Sequence, residues 1–327
     1  YMIRKEFTQN LPYGFSKYKD YSTETNEYTI YKNDYPLSIG YTYDKYIDNE
    51  EYEKLSAIEK QQVMLEAAVL DTKNVKSLAK EDTRSVSDKI KYGTVTVKSK
   101  DGVVVKTDRI RSKKEESTLT LSYEKKKGYE AYLMLDGVIT KKPRIKAKIS
   151  TDNMEKNIVL RNNDLTYALG RDSYLINLGY SDTSESEDVT FTIPIEAKIN
   201  YSDVKVCYVP MDDYVSQIEE RNEESLQNVL TDKNNEVSGN VTLSSDKVMV
   251  FSIPYSSGWK AYVDGKETSV FRANTMYMGI NMTKGSHKVV LRYNSPGLHL
   301  GMMASAAGII IWILLAVASK KKKQKGR

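Results

Sequence analysis

Trp259, Tyr262, Arg272, Asn274 and Tyr277 crowd into one short stretch of the chain. Aromatic rings offer flat apolar faces with a polar edge, and Arg and Asn offer planar sets of hydrogen-bonding groups. Together these are the means by which a protein surface holds a sugar ring, and the five are the candidate substrate-binding residues. A tryptophan in a β-sandwich is more often part of the core, and spacing alone does not make a binding site here. The local frame is a hairpin. The stretch IPYSSGWKAYVDGK (253–266) reads as two short strands around Asp264-Gly265, the type I′ turn pair in which both positions take φ > 0. Gly258, just before the indole, allows the backbone to bend or bulge and aim it.

No residue is marked as catalytic. Motifs of the G-x-S-x-G or H-E-x-x-H kind are absent from the sequence, and no serine-hydrolase or zinc-hydrolase reading has support. With His287 and His299 as the two histidines, a His-based metal site is not expected, nor is any cofactor. Cys207 is the single cysteine, so no internal disulfide can form. Glu219/Glu220 and Glu223/Glu224 are neighbours in sequence, but adjacent positions on a helix point in different directions, so they read as a solvated face. The sequons at Asn240 and Asn281 read as ordinary strand residues.

The elements that must position these residues are mostly strands. The chain has 25 Tyr against 5 Phe, a balance suited to half-wet, half-packed sheet surfaces. Period-2 alternation predicts strands at 92–99, 117–123, 129–135, 188–194, 203–209, 236–244, 247–255, 275–282 and 287–293. Two helices interrupt them. One covers 55–70 and opens on a Ser56/Glu59 capping box. The other starts at Asp212 or Asp213 and continues to about Leu230. The expected fold class is mainly β: one or two antiparallel jelly-roll-like β-sandwiches with two short helices, followed by one C-terminal transmembrane helix. The expected division is an N-terminal segment (1–84, helix about 57–70), a β-sandwich (85–210) and a helical connector (211–235). A closing β unit with the GWKAYVDG hairpin (236–296), the membrane helix (297–319) and a basic tail (320–327) complete it.

Charge and hydropathy set the surroundings. Of 49 Lys and Arg, six lie in the terminal KKKKQKGR; the other 43 face 44 acidic groups. A body so nearly neutral does not suit nucleic acid as a partner. Residues 298–318, LHLGMMASAAGIIIWILLAVA, contain no Asp, Glu, Lys or Arg, and as a helix they would be roughly 31 Å long, about a bilayer's hydrocarbon thickness. Gly301/Ser305 and Ala304/Gly308 would give that helix a small-residue stripe for packing on another. Cations after it place the tail in the cytoplasm and the bulk of the chain outside. The first thirty residues carry no leader or span. The expectation is therefore a C-terminal piece of a longer membrane protein, with upstream transmembrane helices and membrane lipid as partners.

Three stretches carry a resemblance: FSIPYSSGWKAYVDGKETSVFRANTMYMGINMTKGSHKVVLRYNSPGLHLG (251–301), PLSIGYTYDKYIDNEEYEKLSAIEKQQVMLEAAVL (36–70) and YALGRDSYLINLGYSD (167–182). They resemble the YfhO family of bacterial membrane proteins. The resemblance implies a polytopic protein similar to GT-C glycosyltransferases, taking sugar from a polyprenyl-phosphate donor. The implied acceptor is a cell-wall polymer such as lipoteichoic acid of a Gram-positive bacterium. The family's catalytic carboxylate is expected near its first spans, so none is assigned here. The role left to this chain is acceptor binding or closure of the active site. The alternative is a membrane-anchored carbohydrate-binding or structural module without catalysis.

Overall fold

The computed structural model describes residues 1–4, 11–23, 27–231 and 235–325. They form mostly antiparallel sheets with five α-helices and two short 3₁₀ turns among the described residues. The chain divides into two compact units that interleave along the sequence. One comprises residues 1–37, 50–67 and 80–221, the other 38–49, 68–79 and 222–327.

In the first unit, a five-stranded sheet contains Ser117–Glu124, Arg144–Thr151 and Ser186–Ile193, and a four-stranded sheet contains Tyr129–Asp136, Tyr174–Ser181 and Asp203–Pro210. Alternate residues of both sheets, Leu119, Leu121, Ile149, Val189, Leu133, Ile176 and Val206 among them, meet in one core. Strand Asp203–Pro210 departs from alternation because it is covered twice. Val206 and Tyr208 join that core, while Cys207 and Val209 pack with Ile58 of helix Ala57–Glu66 on the opposite face. A strand buried on both faces reads as a continuous apolar run. Burial pushes the Cys207 thiol up to about 12, which leaves it protonated and unreactive while the unit stays folded.

The Ser56 capping box forms as expected: Ser56 N–H donates to Glu59 Oε2 at 2.8 Å and Glu59 N–H donates back to Ser56 Oγ at 3.4 Å. The expected helix over 55–70 ends early, at Glu66. Ala68–Leu70 is a strand, parallel to Lys45–Asp48, with all three residues buried. An apolar run enclosed on every side carries no period, and helix and strand cannot be told apart in it from sequence. The second expected helix is also shorter, Tyr214–Glu223. Gln227–Leu230 pairs as an edge strand with Glu236–Leu243 instead, because Leu226 is buried and its N–H is bonded to Gly40 O at 2.8 Å.

The second unit packs a five-stranded sheet (including Glu236–Leu243, Trp259–Val263 and Gly285–Tyr293) on a four-stranded one (Phe271–Ala273, Tyr277–Met282, Lys247–Pro254, Gly40–Tyr43). Val241, Val289 and Leu291 meet Met249, Phe251 and Ile280 between them. The outer face of the four-stranded sheet is covered as well: Val248 and Val250 pack with Ala68 and Leu70. Asn240 and Asn281 lie in strands, as read.

After Gly285–Tyr293, residues 294–297 lead into helix Leu298–Lys325. Leu300, Ile309 and Trp312 on it are exposed. Among the described residues no helix is long and apolar enough to cross a membrane. The expected transmembrane span is therefore not shown; side chains from 317 onward lie outside the described residues.

The Asp264-Gly265 turn has both residues at φ > 0, 51° and 80°. Its outer shell carries a pH-sensitive pair. His287 Nδ1 lies 2.7 Å from Asp264 Oδ2 and its Nε2 lies 3.0 Å from Thr283 O. Two acceptors face two ring nitrogens, so the imidazolium is the form that satisfies both. The Asp264 hydrogen bond accordingly raises the His287 pKa above its ordinary 6.5. A raised pKa stabilises fully below the unfolded value and loses that contribution as pH rises through the folded one. The melting temperature is expected to fall between pH 6 and pH 8.5, with a smaller fall in His287→Gln. Equal slopes in the two proteins would contradict this.

Candidate functional site

The five residues singled out from sequence divide between the two sheets of the second unit. Trp259 stands opposite Tyr293 in register, ring centroids 5.0 Å apart, and packs half-buried against the sandwich core. Tyr262 lies under the Arg292 guanidinium at 5.3 Å. Arg272 is exposed and covers the Tyr255 ring at 5.5 Å. Asn274 is buried with φ 46°. Its Oδ1 accepts from Val69 N–H at 2.9 Å and its Nδ2 donates to Tyr43 Oη at 3.2 Å, so its polar atoms are engaged within the fold. Tyr277 packs half-buried with Tyr41 and Tyr43. Arg272 over Tyr255 and Arg292 over Tyr262 are the pairs that face solvent. Gly258 does more than aim the indole: a Cβ there would lie 2.4 Å from Asn294 O and 2.7 Å from the Tyr293 ring. The glycine admits the chain leaving the sandwich, and Asn294 N–H donates to Gly258 O at 2.9 Å.

The first unit holds a concave site that sequence reading missed. A cleft of about 270 Å³ is lined by Tyr13, Phe15, Tyr180, Lys126, Asn153 and Glu187, with Tyr123 behind them. Tyr13 and Phe15 arrive together on the 11–15 segment, and Tyr180, Lys126, Asn153 and Glu187 from four other places in the chain. Strand Tyr174–Ser181 bulges against Tyr129–Asp136: Ala131 pairs Gly179 and Tyr132 pairs Asn177, so Leu178 is the extra residue. Gly179 takes φ 102°, a value that favours glycine. A bulge turns the strand and re-aims the next side chain, here Tyr180, which is exposed.

Opposite it, Gly14 (φ 78°) lets the 11–15 segment lie against Tyr35; a Cβ there would sit 2.8 Å from that ring. Tyr13 then meets Tyr180 at 4.9 Å, Tyr214 at 5.5 Å and Tyr35 at 6.4 Å. Beneath, buried Glu130 holds the segment down. Its Oε2 accepts from Tyr13 N–H at 3.2 Å, and its Oε1 accepts from Tyr132 Oη at 3.1 Å and from Asn177 Nδ2.

The polar side of the cleft is equally fixed. Buried Tyr123 donates from Oη to Glu187 Oε2 at 2.6 Å. Burial, then that bonded carboxylate, drives the Tyr123 pKa far above the ordinary 10, so the phenol remains a donor. Lys126 Nζ sits 4.9 Å over the Tyr208 ring. Tyr13 and Tyr180 offer rings for stacking, with an ammonium, an amide and the Glu187 carboxylate around them, a set that can hold a ligand. No group of three or more His, Cys, Asp and Glu is placed to hold a metal ion among the described residues. The signals available in sequence were the excess of Tyr and the Leu178-Gly179-Tyr180 break in alternation.

A family model described as bacterial membrane protein YfhO matches residues 1–305. The uncharacterized protein YfhO of Bacillus subtilis (strain 168) is 23% identical over 346 residues, covering 100% of this chain and 35% of that protein. The chain thus spans about a third of that relative's length. Solved structures with partial likeness include a family GH115 4-O-methyl-α-glucuronidase, BtGH115A. It is 13% identical, with TM-score 0.30, over 41% of this chain and 19% of that one. Another is the arabinofuranosyltransferase AftD from Mycobacteria, 14% identical, with TM-score 0.20, over 48% and 12%. The match over residues 1–305 makes the assignment: the chain belongs to the YfhO family of bacterial membrane proteins.

Proposed function

We propose that this chain is the C-terminal extracytoplasmic part of a polytopic membrane glycosyltransferase of GT-C type. In this reading it holds the acceptor polymer, and the Tyr13–Tyr180 cleft takes one of the acceptor's sugar units. The observation that carries the reading is the cleft itself: two tyrosine faces and three kinds of polar group around about 270 Å³, a volume for one or two sugar rings. Membership of a membrane-protein family supports the setting, as does the apolar run 298–318 ahead of six cations. The donor is a polyprenyl-phosphate sugar, the acceptor a wall polymer of the lipoteichoic acid kind, and catalysis belongs to other parts of the protein.

The test is saturation-transfer NMR on the detergent-solubilised 327-residue chain with glucose, galactose and N-acetylglucosamine. At least one sugar is expected to receive saturation. Tyr180→Ala removes a stacking face contributing on the order of 1 kcal/mol, so binding weakens roughly fivefold. Folded protein that transfers to none of the three sugars, or transfer unchanged in Tyr180→Ala, overturns the reading.

A further inference from the structure

A second concave site lies elsewhere in the first unit, on the short sheet built from Val103–Lys106, Arg109–Ser112, Lys198–Asn200 and Ile139–Thr140. Its inner face contributes Ile110 and Ile199 to the sandwich core. Its outer face carries cations. Arg111 stands directly opposite Lys198 in the antiparallel register, and Arg109 follows two positions along the same strand. Lys141 and Lys142 come in just after the neighbouring edge strand. Arg111, Lys141, Lys142, Lys198 and Glu196 line an open cavity of about 380 Å³.

This arrangement is costly without a ligand. Like charges directly opposite on adjacent strands destabilise a sheet. Over the whole body, this face included, basic and acidic groups nearly balance, 43 to 44, so the excess of cations here is local. The acid present is Glu196, whose Oε2 lies 3.9 Å from Lys142 Nζ and whose side chain is largely exposed. Lys198 shows the crowding: Lys141 first, then burial and the two arginines, lower its pKa below the ordinary value.

The rim is held in place. Ser112 Oγ donates to Pro194 O at 2.5 Å and accepts from Ala197 N–H at 2.8 Å, while Ser112 N–H donates to Ala197 O at 3.0 Å. Three hydrogen bonds fix the 194–197 loop beside the cations, so the charges converge on a preformed space.

We infer that this cavity binds a multiply charged phosphate-bearing anion, its two strand-borne cations Arg111 and Lys198 supplying the main contacts. Guanidinium forks match phosphate oxygens, and ammonium groups add charge without geometric demand. The inference rests on charge and register, and does not depend on the sugar-binding reading of the tyrosine cleft.

The test is calorimetric titration of the detergent-solubilised chain with inorganic pyrophosphate, at low and at physiological salt. Binding is expected, weaker at the higher salt. The double variant Arg111→Gln/Lys198→Gln is expected to bind at least tenfold more weakly. Its melting temperature stays equal or rises, because the opposed charges are gone, so unfolding does not explain the loss. Lys260→Gln, a surface change in the other unit, leaves binding intact. No binding by the wild type, equal binding by the double variant, or equal affinity for charge-matched citrate each overturns the proposal. Adding phosphatidylglycerol to the micelles separates the sources of phosphate. Displacement of pyrophosphate assigns the cavity to a lipid headgroup, and persistence assigns it to a soluble or polymeric phosphate; both outcomes uphold the site.

Discussion

Gly258→Ala is expected to destabilise the second unit by about 3 kcal/mol, at the upper end for overpacked sites. The new Cβ would meet Asn294 O at 2.4 Å, Tyr293 Cε2 at 2.7 Å and Pro296 Cδ at 3.0 Å. The first of these is backbone, and it belongs to the segment that Gly258 O holds by hydrogen bond. No rotamer change relieves the clash; the 293–296 segment must move off the hairpin. Trp259, the next residue, stacks with Tyr293 and is the reporter. In a Trp312→Phe background its fluorescence follows the unit alone. The urea midpoint is expected to drop by on the order of 1–2 M. A midpoint within 0.2 M of the parent would show that the hairpin and the exit segment are not locked together.

Glu130→Ala is expected to be as damaging in the first unit. Glu130 is 4% exposed and accepts from Tyr13 N–H, Tyr132 Oη and Asn177 Nδ2. Removing it strands three buried or half-buried donors, and it leaves Lys156, whose pKa burial lowers and the charge of Glu130 raises, without that support. A cost of about 3 kcal/mol follows from unsatisfied buried donors and a broken buried charge network. Cys207 supplies the readout, since it is buried in the same unit and a buried thiol labels only through opening. At about 1.4 kcal/mol per factor of ten, its labelling rate in native buffer should rise on the order of 100-fold. A rise below threefold would mean the network is incidental to stability. The same variant frees the Tyr13 segment, so it should also weaken sugar binding if the cleft works as proposed.

The sheet strands were legible where turn residues bound a short alternating or apolar run, whether one face is wet, as in Ser117–Glu124, or both are covered, as in Asp203–Pro210. Ser117–Glu124, Tyr129–Asp136, Asp203–Pro210, Glu236–Leu243, Lys247–Pro254 and Gly285–Tyr293 all lie within two residues of the positions read from alternation. The Asp264-Gly265 turn was legible because its chemistry is local. Arg144–Thr151 escaped although it alternates, with Ile145, Ala147 and Ile149 buried; other elements escaped because their burial is set by distant neighbours. Ala68–Leu70 lies enclosed beneath Val248 and Val250, and its apolar run passed for the end of a helix. The strands Met2–Arg4, Phe15–Ser22 and Glu27–Asn33 were also missed. Met2–Arg4 is only three residues long, Phe15–Ser22 is largely exposed and rich in Lys and Tyr, and Glu27–Asn33 is mostly half-buried, so there is little hydrophobic period to read.

The sites divide along the same line. Trp259, Tyr262 and Arg272 drew attention because they are close in sequence, yet the register sets them on different sheets. Tyr13, Lys126, Asn153, Tyr180 and Glu187 are far apart in the chain and meet only through the fold, and each alone looks like an ordinary surface residue. The basic cavity likewise needs the pairing of Arg111 with Lys198, which no local pattern announces.

The junction at residues 294–297 has a mechanical consequence. Four residues reach at most roughly 14 Å when fully drawn out, and Asn294 is already pinned to Gly258. A sandwich on so short a stalk has almost no slack. Wherever the final helix is seated, the Tyr293 end of this sheet is held at its mouth, and a tilt or shift of the helix is handed directly to the strands above it.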